Sequence, residues 1–87
     1  MEKPYGERQK ERVAYVLIKT KVGKERDVLR QLKKAGCVGE ANILLGGYYD
    51  ILMRVVYTDQ KELKKTVAYT IRGNKNVLST LTMITLD

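Results

Sequence analysis

Apolar positions occur along the chain with two different periods, and together they predict four strands and two helices. Residues 12–20 are mostly apolar and rich in β-branched and aromatic side chains, which favours a strand that is apolar on both faces. The glycine pair Gly46-Gly47 then separates two later apolar runs. Further strands are predicted over residues 38–45, 49–57 and 77–86.

The polar stretches between these strands carry apolar residues at helical spacing. After Gly23, the first predicted helix buries Val28, Leu29, Leu32 and Ala35, and ends at Gly36. The second begins at a cap on Thr58 or Asp59, and Glu62 lies three residues after Asp59, as in a capping box. Its buried stripe is predicted to comprise Leu63, Val67, Ala68 and Ile71, with Lys61, Lys64 and Lys65 facing water.

The element order strand-helix-strand-strand-helix-strand predicts an α+β, ferredoxin-like βαββαβ sandwich. Right-handed connections place both helices on one face of a four-stranded antiparallel sheet. Alternate residues are apolar on both faces, however. We expect one face to carry Tyr15, Leu17, Ile51, Met53, Val55, Leu81 and Met83, and the other Ala14, Val16, Ile18, Leu52, Val56, Leu78 and Ile84. A sheet with two apolar faces predicts that the chain dimerises through the face that the helices leave open.

The composition of the chain excludes several kinds of catalytic and metal-binding site. The chain has 87 residues, a net charge of +7, no His and a single Cys. These counts exclude imidazole catalysis, a Cys-His nucleophile, a thiolate zinc site and a disulfide framework, so we expect a non-enzymatic protein with no cofactor and no metal. No run approaches the length of a membrane helix, and we expect a cytoplasmic protein. Residues 1–11 are predicted to be a flexible arm, and residues 12–87 a single folded domain.

The segment after the second strand is the richest in candidate chemistry. Its glycine pair permits a turn through positive φ and leaves backbone amides open to a carboxylate, and Asp50 adds a negative charge close by. Together they suit a zwitterion such as a free amino acid. A hairpin that simply requires glycine, with Asp50 bonded to local backbone, is the alternative. Thr80 and Thr82 lie two residues apart on the last predicted strand. Their hydroxyls are able to orient a small polar ligand, and the alternative is that threonine is present because it favours strand formation.

Three patches in order resemble the Lrp/AsnC (feast/famine) transcription regulators. The strand at residues 14–20 followed by Gly23-Lys24-Glu25 is similar to the opening of that family's ligand-binding half. Gly47-Tyr48-Tyr49-Asp50 resembles its Gly-x-Tyr-Asp loop, and Ser79-Thr80-Leu81-Thr82 resembles its closing strand. The resemblance covers residues 12–86.

This resemblance implies a regulation-of-amino-acid-metabolism (RAM) domain that senses a free amino acid and modulates transcription regulators. Such domains form homodimers through their sheets, and the dimers form rings of octamer type. The family site maps onto Gly47, Tyr49, Asp50, Thr80 and Thr82. The first dozen residues are too short for the family's helix-turn-helix domain, which implies no direct DNA binding and, instead, effector sensing or mixed oligomers with full-length Lrp/AsnC regulators.

Two other function classes share this element order. An RNA- or DNA-binding ferredoxin-like protein would use the positive charge, but the third strand lacks the aromatic motif on which bases stack. A small dimeric α+β-barrel enzyme would use side chains such as Tyr15, Asp50, Arg54 and Tyr57 for catalysis. The spacing of these residues does not by itself indicate a catalytic site.

Overall fold

The computed structural model describes residues 11–35 and 39–86. Their elements are, in order, β1 (Arg12–Thr20), α1 (Glu25–Lys34), β2 (Glu40–Ile43), β3 (Ile51–Tyr57), α2 (Gln60–Lys65), a π-helical segment (Thr66–Ile71) and β4 (Val77–Ile84). The predicted order of strands and helices is confirmed, although β2, β3 and β4 are each shorter than the apolar runs that predicted them. The expected arm, apart from Glu11, and the predicted helix end at Gly36 lie outside the described residues. No helix in the two described ranges is long and apolar enough to cross a membrane.

The strands form one antiparallel sheet in the order β2-β3-β1-β4. The strand β1 is central, and pairs with β3 from Arg12↔Tyr57 to Ile18↔Ile51 and with β4 from Ala14↔Ile84 to Thr20↔Val77. A register shift between Lys19 and Thr20 marks an irregularity at one end of β1. This arrangement is the ferredoxin-like α+β fold that the element order predicts.

One face of the sheet packs against the helices and forms the core. The core contains Ala14, Val16, Ile18, Val28, Leu32, Ala41, Ile51, Met53, Val55, Tyr57, Leu63 and Ile71. Every second residue of β1 and of β3 is buried in it, because successive side chains of a strand point to opposite faces. Burial therefore fixes which face of each strand meets the helices.

The expected division of apolar residues between the two faces is partly wrong. Val16 lies opposite Met53 and Leu17 lies opposite Leu52, so the alternate residues of β3 were assigned to the wrong faces. The reason is that a shift of one residue in register exchanges the faces of a whole strand, and β1 and β3, which are separated in the chain by α1 and β2, have no local turn that sets their register. The open face therefore carries Val13, Tyr15, Leu17, Leu52, Arg54, Val56, Leu81 and Met83.

The second helix begins as predicted and then changes its winding. Asp59 is the N-cap, and its carboxylate accepts a hydrogen bond of 2.9 Å from the backbone N–H of Lys61. The six residues after α2 form the π-helical segment, whose hydrogen bonds span five residues instead of four. This change rotates the predicted buried stripe: Leu63 and Ile71 are buried, whereas Ala68 is exposed.

Candidate functional site

The Asp50 carboxylate lies at the end of the sheet and is held by the last residue of β1. Its Oδ2 accepts a hydrogen bond of 2.9 Å from the backbone N–H of Thr20 and one of 3.3 Å from the Thr20 hydroxyl. The backbone N–H of Asp50 in turn donates to the carbonyl of Ile18 at 2.8 Å. Because Thr20 is almost fully buried, the carboxylate takes over a backbone donor that the irregular end of β1 would otherwise leave unsatisfied.

Lys19 adds a positive charge to the same position. Its Nζ lies 3.6 Å from Asp50 Oδ2 and 5.0 Å from the centroid of the Tyr48 ring. The Thr20 backbone hydrogen bond, with smaller contributions from the Lys19 charge and from side-chain hydrogen bonds, lowers the pKa of Asp50 below its ordinary value of 3.8, although partial burial opposes the effect. Asp50 is therefore ionised at neutral pH, and the contacts of its carboxylate described above are all made through Oδ2.

The glycine pair forms an open turn before Asp50. Gly46 has φ of 89° and Gly47 has φ of 82°, in the left-handed region that side chains rarely adopt. No atom lies within 4 Å of a Cβ built on either glycine, so it is backbone conformation, and not close packing, that requires glycine there. Both glycines are exposed.

The tyrosines that follow the glycines pack against each other. The rings of Tyr48 and Tyr49 meet edge to face, with centroids 5.0 Å apart. Tyr48 is exposed and Tyr49 is half-buried. The structure thus brings together Gly47, Tyr49 and Asp50 in one short loop.

The two candidate threonines lie elsewhere on the protomer. Thr80 is opposite Ile18 and Thr82 is opposite Val16, so both belong to the helix-facing side of β4. The strand β1 separates them from the loop before β3. Within one protomer, therefore, the five predicted site residues form two groups on either side of β1.

The threonines line two cavities beside β4. One is a groove of about 410 Å³ between the second helix and β4, with Thr82 in its wall. The other, of about 320 Å³, lies farther along β4 and contains Thr80. Arg72 lines both cavities.

The residues nominated for an enzyme site are dispersed. Tyr15 and Arg54 are cross-strand neighbours on the open face. Tyr57 is buried on the helix-facing side of β3, at the end of that strand opposite to Asp50. This dispersal gives no support to a catalytic set made of these four residues.

Sequence reasoning missed three residues that shape these sites. Lys19 and Thr20 hold Asp50, but they are 30 or more positions away in the chain, and nothing local marks them as its partners. Every second residue of β1 is buried, and Thr20 is the last residue in this alternation. The alternation is therefore the one feature of the sequence that predicts an inward orientation for Thr20. Arg72 is one of 17 basic residues, and its position between two cavities has no counterpart in the sequence pattern.

Neither a family model nor a curated protein sequence matches the chain, whereas solved structures do. FFRP-DM1 superposes with a TM-score of 0.80 and 32% identity, over 86% of this chain and 99% of that protein. Escherichia coli AsnC superposes with a TM-score of 0.82 and 22% identity, over 100% of this chain and 58% of AsnC. A transcriptional regulator from Neisseria meningitidis, crystallised as a complex with L-Met, gives a TM-score of 0.78 and 17% identity, over 100% of this chain and 56% of that protein.

The first of these similarities is strong enough to establish kinship, because nearly all of FFRP-DM1 is matched at 32% identity. The two larger regulators share the fold, and the chain spans little more than half of their length. These findings agree with the three patches that first suggested the family. The chain belongs to the Lrp/AsnC (feast/famine) family of regulators and corresponds to its ligand-binding domain.

Proposed function

We propose that this chain is a non-enzymatic regulatory module that binds a free amino acid at the loop around Gly47, Tyr49 and Asp50, and that works as an oligomer built on the open face of its sheet. The single observation that carries the amino-acid proposal is the Asp50 carboxylate. It is ionised and anchored at Thr20, and it lies three residues after Gly47, in a turn whose two glycines are exposed.

The chemistry of the loop suits the two charged groups of an amino acid. The Gly47 amide is the donor for the ligand's carboxylate, and Asp50 is the acceptor for its ammonium group. Both hydrogen bonds from Thr20 go to Oδ2, which leaves Oδ1 for the ammonium. The likeness to a regulator crystallised with L-Met is consistent with a ligand of this class.

The threonines complete this site only across subunits. Thr80 and Thr82 lie on the other side of β1 from the loop, so we propose that they face the ligand from a neighbouring protomer of the ring. On this proposal the complete site forms only in the oligomer, and ligand binding is linked to assembly.

A thermal-shift screen of the intact protein against the standard amino acids, methionine included, tests the ligand class. A ligand at about a hundred times its dissociation constant adds roughly 2.7 kcal/mol to the free energy of unfolding. We expect one or a few amino acids to stabilise the protein, and Asp50→Asn to abolish that stabilisation. Asp27→Asn, which alters an ion-paired carboxylate on α1, is the matched control and should retain it. Absence of stabilisation by every amino acid would contradict the proposal.

The oligomer proposal rests on the exposed apolar side chains of the sheet. Leu81 and Met83 are each 45% exposed, and Val56 is 37% exposed. They adjoin Leu17 and Leu52 on the face opposite the helices, where a second copy of the same sheet would cover them. Sedimentation velocity over a range of protein concentrations should show a dimer or a ring of dimers, and a protein that stays monomeric throughout would refute this part.

A further inference from the structure

The positive charge of the protein is concentrated in its helical layer, which we define as residues 21–35 and 59–75. These two ranges comprise both helices and the turns beside them. They contain eleven Lys or Arg residues and four Asp or Glu residues, which gives a net charge of +7. The other described residues, 11–20, 39–58 and 76–86, carry three charges of each sign. The excess charge therefore belongs to the elements that pack on the side of the sheet opposite its open face.

Within this layer, the first helix presents three cations on one flank. Arg26, Arg30 and Lys33 follow one another at intervals of four and three residues, which places them on the same side of α1. All three are exposed, whereas the apolar side of α1 is buried in the core and holds the helix in place. Together with Leu29 they line a cavity of about 260 Å³, and its described lining contains no acidic residue. This flank is therefore a rigidly held cluster of positive charge.

Few carboxylates neutralise the cations of this flank. Asp27 lies 3.2 Å from Arg30 Nη1 and 4.0 Å from Lys24 Nζ. Among the described residues, no carboxylate lies within ion-pairing distance of Arg26 or Lys33. An anion at this flank therefore contacts two cations without displacing an existing ion pair.

The surface of α1 suits a nucleic-acid backbone better than a protein partner. The large apolar side chains that are exposed in the described residues include none from α1. Protein–protein interfaces usually contain a buried apolar or aromatic centre. Single-stranded nucleic acids bind by stacking their bases on aromatic side chains, and residues 25–34 contain no aromatic residue. Contacts to the phosphates of a duplex require only Lys and Arg.

The dimensions of α1 favour double-stranded DNA. The major groove of B-form DNA is about 12 Å wide and admits an α-helix, whereas the major groove of double-stranded RNA is deep and narrow. The helix has ten residues and is about 15 Å long. Arg26 and Lys33 are about 10 Å apart along its axis, so they are able to contact different phosphates at the edge of one groove.

We propose that α1 binds the phosphate backbone of double-stranded DNA, without sequence preference, through Arg26, Arg30 and Lys33. The first dozen residues are too short for a helix-turn-helix domain, but phosphate contacts of this kind need no such domain. The surface is opposite the proposed dimer contact, and it includes no residue of the Asp50 loop or of the cavities beside β4. The remaining charge of the helical layer attracts DNA at longer range and so increases the rate of encounter.

Fluorescence anisotropy of a labelled DNA duplex of mixed sequence, titrated with the intact protein at a series of KCl concentrations, tests this surface. Three phosphate contacts predict that the logarithm of the association constant falls with the logarithm of the salt concentration with a slope of about −2.7. A second duplex of unrelated sequence should bind with the same affinity within about twofold, because no base is read. A single strand of the same length should bind at least about fivefold more weakly.

Two double variants of equal charge locate the contact. Arg26→Gln combined with Lys33→Gln should make the slope less steep by about 1.8 and weaken binding at least about tenfold in about 100 mM KCl. Lys61→Gln combined with Lys65→Gln removes two charges from α2, outside the cavity on α1, and should leave the slope unchanged. Glutamine is a good helix former, so both double variants should fold.

A single variant separates this proposal from the amino-acid proposal. Asp50→Asn, which should abolish stabilisation by an amino acid, should leave the slope for DNA unchanged. Failure of amino-acid binding and failure of DNA binding therefore give different results.

Four results would overturn the proposal. Equal losses in the two double variants would show that binding follows net charge and not the flank of α1. Equal affinity for single-stranded and double-stranded DNA would contradict the choice of a duplex. Displacement of the duplex by polyglutamate as efficiently as by unlabelled DNA of equal charge would identify an acidic protein surface as the occupant. Absence of binding even at the lowest salt concentration would exclude a DNA contact altogether.

Discussion

Removal of the Asp50 carboxylate should destabilise the fold itself, independently of any ligand. The residue accepts two hydrogen bonds from Thr20, a residue that is only 1% exposed. In Asp50→Ala the Thr20 N–H loses its acceptor, which costs about 1–3 kcal/mol for a buried donor. The ion pair with Lys19, whose side chain is 27% exposed, contributes up to about 1 kcal/mol more. We therefore expect Asp50→Ala to lower the free energy of unfolding by roughly 1–4 kcal/mol.

Urea unfolding followed by circular dichroism, at fixed protein concentration and ionic strength, measures this loss. The matched control is Asp27→Ala, because Asp27 is also ion-paired, with Arg30 Nη1 at 3.2 Å, but its side chain is 47% exposed. We expect the control to lose only about 0.5–1 kcal/mol, which includes its favourable position in the first turn of α1. Equal losses in the two variants would refute the argument that burial of the Thr20 donor sets the magnitude.

The same experiment has a defined dependence on pH. The pKa of Asp50 is lowered in the folded protein, so the folded state favours the ionised form more than the unfolded chain does. The stabilisation is complete well above the unfolded pKa of 3.8 and is lost as the pH falls through the lowered pKa. The difference between wild type and Asp50→Ala should accordingly be constant near neutral pH and become smaller in strong acid. A difference that grows on acidification would contradict this account.

Three further changes test other parts of the structure. Gly73→Ala should destabilise the protein by about 1–3 kcal/mol, because a Cβ at this position overlaps the carbonyl oxygen of Tyr69. Urea unfolding measures the loss, and an unchanged free energy of unfolding would contradict the predicted overlap. Asp59→Ala removes the N-cap of α2 and should cost about 1 kcal/mol by the same assay, whereas no loss would show that the cap is dispensable. Leu17→Asp places a charge on the open sheet face and should convert the proposed dimer into monomer, as measured by sedimentation velocity. Tyr69→Asp changes an exposed residue of the π-helical segment and should leave the dimer intact. The same response from both variants would argue against assembly through the sheet.

The order of strands and helices could be predicted from the sequence because each element has its own apolar period. The alternation through β1 and the helical spacing of Val28 and Leu32 are local properties, and both kinds of element formed where expected. Register is not local. The pairing of Leu17 with Leu52 joins two strands that α1 and β2 separate in the chain, and no local pattern marks these two residues as partners.

The candidate site could be predicted only in part, for a related reason. The glycine turn and Asp50 are adjacent in the chain, so their proximity required no knowledge of the fold. Thr20 and Asp50 meet only because β1 and β3 pair, and the chain gives no sign of that hydrogen bond. Arg72 reaches its position because the helix changes from α to π winding, and a π turn has no distinct signature in apolar spacing.

The strand β4 is much less buried than β1 and β3. None of its eight residues is buried, whereas β1 and β3 each bury four. Its backbone is held by pairing with β1 alone, since β4 lies at the edge of the sheet. Local opening of this strand therefore exposes little core and requires much less free energy than global unfolding. A partner sheet on the open face would cover Leu81 and Met83, so assembly would raise the free energy needed to open this edge strand.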